Sequence, residues 1–481
     1  LNVIDFMSSA QLAHQYMLNR KVFDDVCEVS SVPRDYIMKC MVGGRTMCAN
    51  NKKDHIKGRI QDFDAVSLYP SAMYRLGGYL KGQPKVLTQL NYDFLKNCDG
   101  YFIQIKVNKV NKNYAFPQMS YINDHGVRIF TNEPKENLYV CKFVLEDLIE
   151  FHNIEFEIID GYYYDEGRNN NLRDVIDFVF NERLKMKKEK NPLEQIYKLI
   201  MNSAYGKTLQ KSHPEKVEFK NENDIDKFID KNYNYIKSYQ ELYSEGSFKK
   251  YIVKMEKGIE EHFNNAPAGV EVLAMSKRIM NEVMCLAEDN GLKIYYQDTD
   301  SMHIKECDIK TLAEKYKQVY HRELIGKGMG QFHSDFDSDV ITGNTYYNKD
   351  IKHSITINFK TKQEREEWLK TNKGYKPEPE IYATECIFLG KKCYIDKLEG
   401  KDFNGNLVVD YHIRMKGVSN NAIKHKAKIE KRDFMDIYKS LLDCNKELFD
   451  LCCGGEKVNF EYNSNYTITT KKEFNRVLSF E

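Results

Sequence analysis

The sequence predicts an α+β chain built from several structural units, and three observations carry that expectation. Its 481 residues exceed what a single hydrophobic core usually organises, so two to four units are expected. The segment YFIQIKV at 101–107 alternates as a half-buried strand. Residues 138–151 and 172–190 carry apolar side chains at helical spacing. Composition agrees with a globular chain, at 42% apolar and 30% charged residues. No stretch approaches the ~18 consecutive apolar residues of a membrane span, and residues 1–20 lack the order of a secretory signal, so an intracellular chain with no membrane partner is expected. The twelve cysteines are scattered without a Cys-x-x-Cys pair, and the adjacent Cys452 and Cys453 cannot easily bridge, which points to reduced, mostly buried thiols.

Taken in order, the chain starts at Leu1, as if inside a longer reading frame. Residues 8–30 read as helical, and MVGGRT at 41–46 supplies a glycine pair suited to a close-approach loop. Strand-like text then leads to Asp64. Pro192 breaks the helix of 172–190, and a new helix runs from about Leu193 to Leu209. The two form an αα-hairpin whose tip gathers Arg183, Lys185, Lys187, Lys188 and Lys190. A second basic run holds Arg414, Lys416, Lys424, Lys426, Lys428, Lys431 and Arg432 against the single acid Glu430. The formal net charge is only +1, so it is this clustering that suits a polyanion.

Carboxylates are the first candidates for chemistry. Asp64 closes a short strand before the SLYPS turn, and Asp298 and Asp300 lie in the strand-like run Ile294–Ile304, where residues two apart share a face. Three acids converge if these strands pair. Asp62 shares the face of Asp64 and competes for the same role, but the spacing to SLYPS favours Asp64 and leaves Asp62 solvated or salt-bridged. Lys198, Asn202 and Tyr205 stand at i, i+4 and i+7, one helical stripe that offers a cation, an amide and an aromatic plane to a triphosphate and a stacked base. Arg183 and Lys187, four apart on the preceding helix, are placed to face the same phosphates.

DFDAVSLYPS (62–71), KLIMNSAYGKT (198–208) and YYQDTDSMH (295–303) stand in the order of motifs A, B and C of the family B DNA polymerases, and from MVGGRT to the C terminus the chain resembles the polymerase portion of that family. The resemblance implies a right-hand fold with an antiparallel palm sheet, helical fingers and a thumb. Its expected units are a pre-palm linker at 1–60; palm at 61–168, with a terminal-protein-region insertion near 110–168; fingers at 169–212; an insertion at 213–268; palm again at 269–400, with an insertion near 335–380; and thumb at 401–481. It implies Asp64 and Asp300 as the main ligands of two Mg2+ ions, with Mn2+ as an alternative, Asp298 in support and Lys198 on the incoming triphosphate. Phosphoryl transfer from a nucleoside triphosphate calls for such a metal pair. Tyr69 matches the sugar-selecting tyrosine. GKKCYIDK at 390–397 resembles the motif that holds the primer end, with Lys392 and Tyr394 sharing a strand face, and Gly43, Gly44 and Ser301 join them as DNA-binding candidates.

The sequence departs from the family pattern at Met41, where the glycine-pair loop usually begins with Tyr, and at Phe332 in GQFHSD (330–335), where Trp is usual. The residues before Asp64 are too few for a proofreading exonuclease domain, which was either removed or never present. The adjacent Asp-Asp pair of many reverse transcriptases and RNA polymerases is absent, and intact metal ligands and sugar gate argue against a silent DNA-binding subunit. Expected partners are primer–template DNA, deoxynucleoside triphosphates and a terminal priming protein, in the host cytoplasm or nucleus if the source is viral. The chain resembles the protein-primed subgroup, in which an insertion between motifs B and C wraps the template and helps seat the priming protein. Residues 213–268 stand there, with Tyr233, Tyr235, Tyr239, Tyr243 and Tyr251 among mixed charges. Conventional primer extension with an unrelated insertion is the alternative.

Overall fold

The computed structural model describes residues 8–123, 126–210, 215–242, 249–257, 265–443, 456–462 and 468–474. Its centre is an eight-stranded antiparallel sheet. The strands are β1 (Thr46–Cys48), β2 (Asp54–Ala65), β3 (Ile294–Asp298), β4 (Ser301–Lys305), β5 (Phe332–Ser334), β6 (Tyr382–Gly390), β7 (Cys393–Lys401) and β8 (Leu407–Met415). They run in the order β1-β3-β4-β2-β6-β7-β8, with β5 paired to the C-terminal end of β2. Long sequence separations between neighbouring strands bring residues near 64, 300 and 333 to one place. The sheet takes in β1 and most of β2 from the expected linker and extends through β8, past the expected start of the thumb at 401.

Five helices position the site: α1 (Ser9–Asn19), α2 (Leu68–Leu76), α3 (Asn171–Lys188), α4 (Leu193–Thr208) and α5 (Ala266–Asp289). Asn265 caps α5 by accepting from the Ala268 N–H at 3.1 Å, and Pro267 occupies its first turn, where a missing N–H costs nothing. Nearly every side chain of α5 is buried, as expected of a helix wrapped by other elements rather than lying on a surface. Its buried acids are paired: Glu271 with Arg168 at 2.8 Å, and Glu282 with Arg75 at 2.8 Å. The main core runs from α2, α3 and α4 through α5 to Phe63, Met302 and Phe332. Phe332, standing where the family has Trp, is fully buried and stacks on Phe63 at 5.4 Å.

Three further units surround this core. Lys85–Val86, Ile154–Tyr164, Gly100–Val110 and Leu138–Cys141 form a four-stranded antiparallel sheet with its own apolar cluster. Residues 215–242 and 249–256 form a three-stranded sheet whose helix, Glu222–Asn232, packs Ile225 and Phe228 on Val253 and Met255. Residues 345–377 form another three-stranded sheet with the helix Lys362–Thr371, whose Trp368 sits among Tyr346, Phe359 and Tyr375.

Some local expectations are corrected. The helix expected over 8–30 stops at Asn19, and left-handed Lys21 and Asp25 turn the chain before a second helix, Ser31–Lys39. Residues 138–141 are a strand, because they pair with Phe102–Ile105, and the helix begins at Lys142. The αα-hairpin of α3 and α4 stands as expected, with Met186 and Leu184 turned inward while Lys185, Lys187, Lys188 and Lys190 stay exposed at its tip. Nine cysteines lie among the described residues, none of them in a disulfide and seven of them buried.

Candidate active site

The site begins with a hairpin rather than one strand. β3 ends at Asp298, Thr299 turns with φ +63°, and β4 starts at Ser301, so Asp298 and Ser301 are Cα partners across the turn. The expectation that Asp298 and Asp300 share a face of one extended strand is therefore corrected: the turn separates them. Asp300 is fixed instead by its own N–H donating to the Asp298 carbonyl and by its carbonyl accepting from the Ala65 N–H, each at 2.8 Å. On the neighbouring strand Ser301 lies opposite Asp64. Asp64 and Asp300 are thus held by strand register and one backbone hydrogen bond.

Burial raises Asp64 well above the ordinary carboxylate range, and the neighbouring Asp300, Asp335 and Asp62 carboxylates add to it, bringing it to about 8. Asp300 is raised by burial first and also by Asp298. Buried carboxylates raised further by acidic neighbours mark a place where positive charge is wanted. β5 contributes a group that the sequence reasoning missed. His333 pairs with Asp64 across β5 and β2, and Asp64, His333 and Asp335 each offer a ligand atom within 4.8 Å of the others. The signal was present in GQFHSD: if Phe332 points into the core, strand alternation turns His333 the other way.

Of the two expectations for Asp62, the structure has the salt-bridged one, with a partner inside the fold rather than on the surface. Asp62 is buried beside His303, whose Nδ1 is 3.8 Å from its Oδ1, and His303 Nε2 meets the fully buried Asp396 at 3.2 Å. Asp396 also holds His412 at 3.1 Å. Burial alone would lower His303, but Asp396 and then Asp62 raise it to about 9, and the histidines hold Asp396 below its usual range despite burial.

The motif A turn follows directly. Ser67 takes a left-handed conformation before α2, and the Ser71 hydroxyl donates back to the Val66 and Ser67 carbonyls. This places Tyr69 against Tyr205 of α4, with ring centroids 4.1 Å apart and planes 20° from parallel. Arg183 of α3 reaches the same turn, donating to Ser67 Oγ at 3.3 Å while pairing with Glu194 across the hairpin at 3.0 Å. Lys198 and Asn202 are exposed on α4, two turns and one turn before Tyr205, and Lys187 is exposed on α3.

The Lys392–Tyr394 pair is divided. Lys392 occupies the β6–β7 turn with φ +55°, and its Nζ donates to Asp298 Oδ1 at 2.6 Å. Tyr394 is 3% exposed, in a cluster with Tyr296, His303, Phe388 and His412. The two side chains do not share a face, because Lys392 precedes the strand, and in this conformation the Tyr394 ring fills core rather than facing a primer. Gly44 lies beneath Thr299, Gly43 is exposed, and Ser301 is buried in the register described above.

A palm sheet with convergent carboxylates, a helical hairpin over it and inserted modules define the right-hand polymerase class. The model of the family described as DNA polymerase type B, organellar and viral, matches residues 1–289, and the chain belongs to that family. The chain is 24% identical over 330 residues to a DNA polymerase of Kluyveromyces lactis, covering 64% of this chain and 30% of the relative. It is 31% identical over 209 residues to the DNA polymerase of Bacillus phage Nf, covering 40% and 34%. The chain thus spans about a third of the length of these curated relatives. Among solved structures it is similar to Phi29 DNA polymerase in an orthorhombic crystal form, with a TM-score of 0.57 at 15% identity over 98% of this chain and 67% of that one. It is similar also to Phi29 DNA polymerase complexed with primer-template DNA and incoming nucleotide substrates, with a TM-score of 0.56 at 15% identity and the same coverage. These likenesses show the fold.

Proposed function

We propose that this chain is a DNA-directed DNA polymerase that adds deoxynucleotides to a 3′ hydroxyl. The observation that carries this reading is the fixed adjacency of Asp64 and Asp300, each carboxyl raised first by burial and then by acidic neighbours. Such a pair fits divalent cations, Mg2+ or Mn2+: the donors are hard oxygens, and Asp64 is raised by neighbours that a cation would neutralise. Asp64 and Asp300 would hold two such ions, with Asp298 beside them. Bound there, they supply activation of the attacking hydroxyl and stabilisation of the leaving pyrophosphate.

The remaining roles belong to the chain's own side chains. Tyr69, braced by Tyr205, excludes a ribose 2′ hydroxyl by filling its volume. Lys198, Arg183 and Lys187 neutralise triphosphate oxygens, which for Arg183 requires exchange of Glu194 for the ligand. Asn202 lies on the same stripe, and Lys392 takes a primer phosphate in exchange for Asp298. The relatives named DNA polymerase support this reading, as does the similar fold solved with primer-template DNA and incoming nucleotides. Extension of a labelled primer on a defined template with Mg2+, comparing deoxy- and ribonucleotides, tests it. Template-directed growth with deoxynucleotides is expected, and no growth under any metal would refute it.

Priming from a protein hydroxyl is the finer part of the proposal. Residues 215–242 and 249–256 fold as a separate sheet-and-helix unit between α4 and α5, where the protein-primed subgroup carries its insertion. Tyr233, Tyr235 and Tyr239 are more than half exposed on it, while Tyr243 lies outside the described residues. Replacing 215–256 by a short linker should spare brief extension of an annealed primer but cripple strand displacement and protein priming. Unchanged strand displacement would favour conventional priming.

A further inference from the structure

The proposed chemistry leaves no task for the glycine-pair segment, which lies against the motif C turn. Thr299 separates Asp298 from Asp300 in a left-handed conformation that a β-branched residue rarely adopts unless its surroundings enforce it. Both of its backbone groups are held. Its N–H donates to the Arg45 carbonyl at 2.9 Å, and its carbonyl accepts from Gln297 Nε2 at 3.4 Å. Gln297 Oε1 in turn accepts from Arg45 Nε at 2.6 Å. Arg45 therefore grips the turn twice, through its own carbonyl and, by way of Gln297, through its guanidinium.

The guanidinium is itself fixed. It is 3% exposed and donates to the Phe116 and Pro117 carbonyls at 2.9 and 3.1 Å, to Asn281 Oδ1 at 3.0 Å and to Met284 Sδ at 3.5 Å. Asn281 is anchored to Asp147, which pairs with Arg278 of the same buried helix. Behind the segment, the Lys277 ammonium donates to the Val42 carbonyl. Gly44 completes the fit, because a Cβ there would lie 2.5 Å from Thr299 Cγ2 and 3.0 Å from its Oγ1. Gly44 is needed here for close approach and not for its own backbone angle.

We propose that residues 42–45 form a clamp on the motif C turn, in which Arg45 and Gln297 are positioning residues that fix Asp298 and Asp300 relative to Asp64. A turn free to relax would pull Asp300 from the Ala65 N–H and separate the two carboxylates. The proposal rests on the polymerase reading for its consequence in catalysis, but its geometric claim concerns the carboxylate pair alone. It gives Gly44 a role beneath the acids, distinct from a contact with DNA.

The test is a clash and its relief. Gly44→Ala should displace Thr299, whereas Gly44→Ala combined with Thr299→Gly removes the struck side chain and installs a residue suited to positive φ. Mn2+ binding by electron paramagnetic resonance reads the carboxylate pair without turnover, and single-nucleotide addition and primer–template affinity are measured beside it. Gly44→Ala should weaken Mn2+ binding about tenfold and slow the addition step about 100-fold, the scale of a small misplacement of reacting groups, with DNA affinity and nucleotide KM near wild type. The double variant should recover most of both losses. If Gly44→Ala does not fold, Gln297→Met, which removes only the amide link, should weaken Mn2+ binding in the same direction. Unchanged Mn2+ binding in both variants, or a loss confined to DNA affinity that Thr299→Gly does not rescue, overturns the clamp. A wild-type chain that binds Mn2+ with this pattern but extends no primer overturns the polymerase reading and leaves the clamp standing.

Discussion

Lys392 Nζ lies 2.6 Å from Asp298 Oδ1, so the cation expected to hold the primer end is paired with a carboxylate of the motif C hairpin. The Lys392 side chain is half exposed but that of Asp298 is only 16% exposed, so exchange of Asp298 for a primer phosphate leaves a mostly buried carboxylate that needs another cation beside it. Thr46 Oγ1 donates to the same Asp298 oxygen at 3.1 Å and remains after the exchange.

Lys392→Ala should weaken primer–template binding several-fold and evenly across sequences, because phosphate contacts carry no sequence information. The slope of log affinity against log salt should fall by about one. Fluorescence anisotropy on several duplex sequences at graded salt measures both quantities. A loss restricted to particular sequences would remove Lys392 from the primer grip.

The stacking of Tyr69 on Tyr205 makes a prediction about sugar choice. Tyr69→Val should raise ribonucleotide incorporation relative to deoxynucleotide by at least about tenfold, since the side chain that fills the 2′ position is cut away. Tyr69→Phe keeps the ring and its stack, so selectivity should hold. Single-turnover incorporation of paired nucleotides measures the ratio, and an unchanged ratio in Tyr69→Val places the gate elsewhere.

Stability should depend on pH through His303. Its folded value of about 9 exceeds its ordinary 6.5, so the proton it holds between Asp396 and Asp62 stabilises the fold fully below about pH 6.5. That contribution is lost as pH rises toward 9, on the order of 1–3 kcal/mol. Denaturant unfolding across this window should show a decline in the wild type that His303→Gln flattens. Parallel profiles for the two proteins would show that His303 is not charged in the folded state.

What the sequence could reveal tracks how local each signal was. The hairpin of α3 and α4 follows from apolar spacing on either side of Pro192, and Asp64, Asp298 and Asp300 stood out through flanking motif residues. The turn at Thr299 was hidden because threonine carries no turn signal; its left-handed conformation is imposed by Arg45, distant in the chain. The burial of Tyr394 was equally illegible, since its neighbours Tyr296, His303, Phe388 and His412 come from four strands that only the sheet order assembles. Lys21 and Asp25 ended the first helix without any glycine or proline to mark the stop. The choice between a solvated and a salt-bridged Asp62 stayed open for a similar reason: nothing local announces that His303 and Asp396 lie beneath it.

The central claim is that Asp64 and Asp300 form one charge site for nucleotide addition, and single-nucleotide extension by Asp64→Asn and Asp300→Asn, with primer–template affinity measured on the same samples, tests it most directly. Each substitution should slow addition by on the order of 100- to 1000-fold or more while DNA affinity stays within a few-fold of wild type, with Asp298→Asn milder than either. Extension at the wild-type rate by Asp64→Asn or Asp300→Asn would contradict the account.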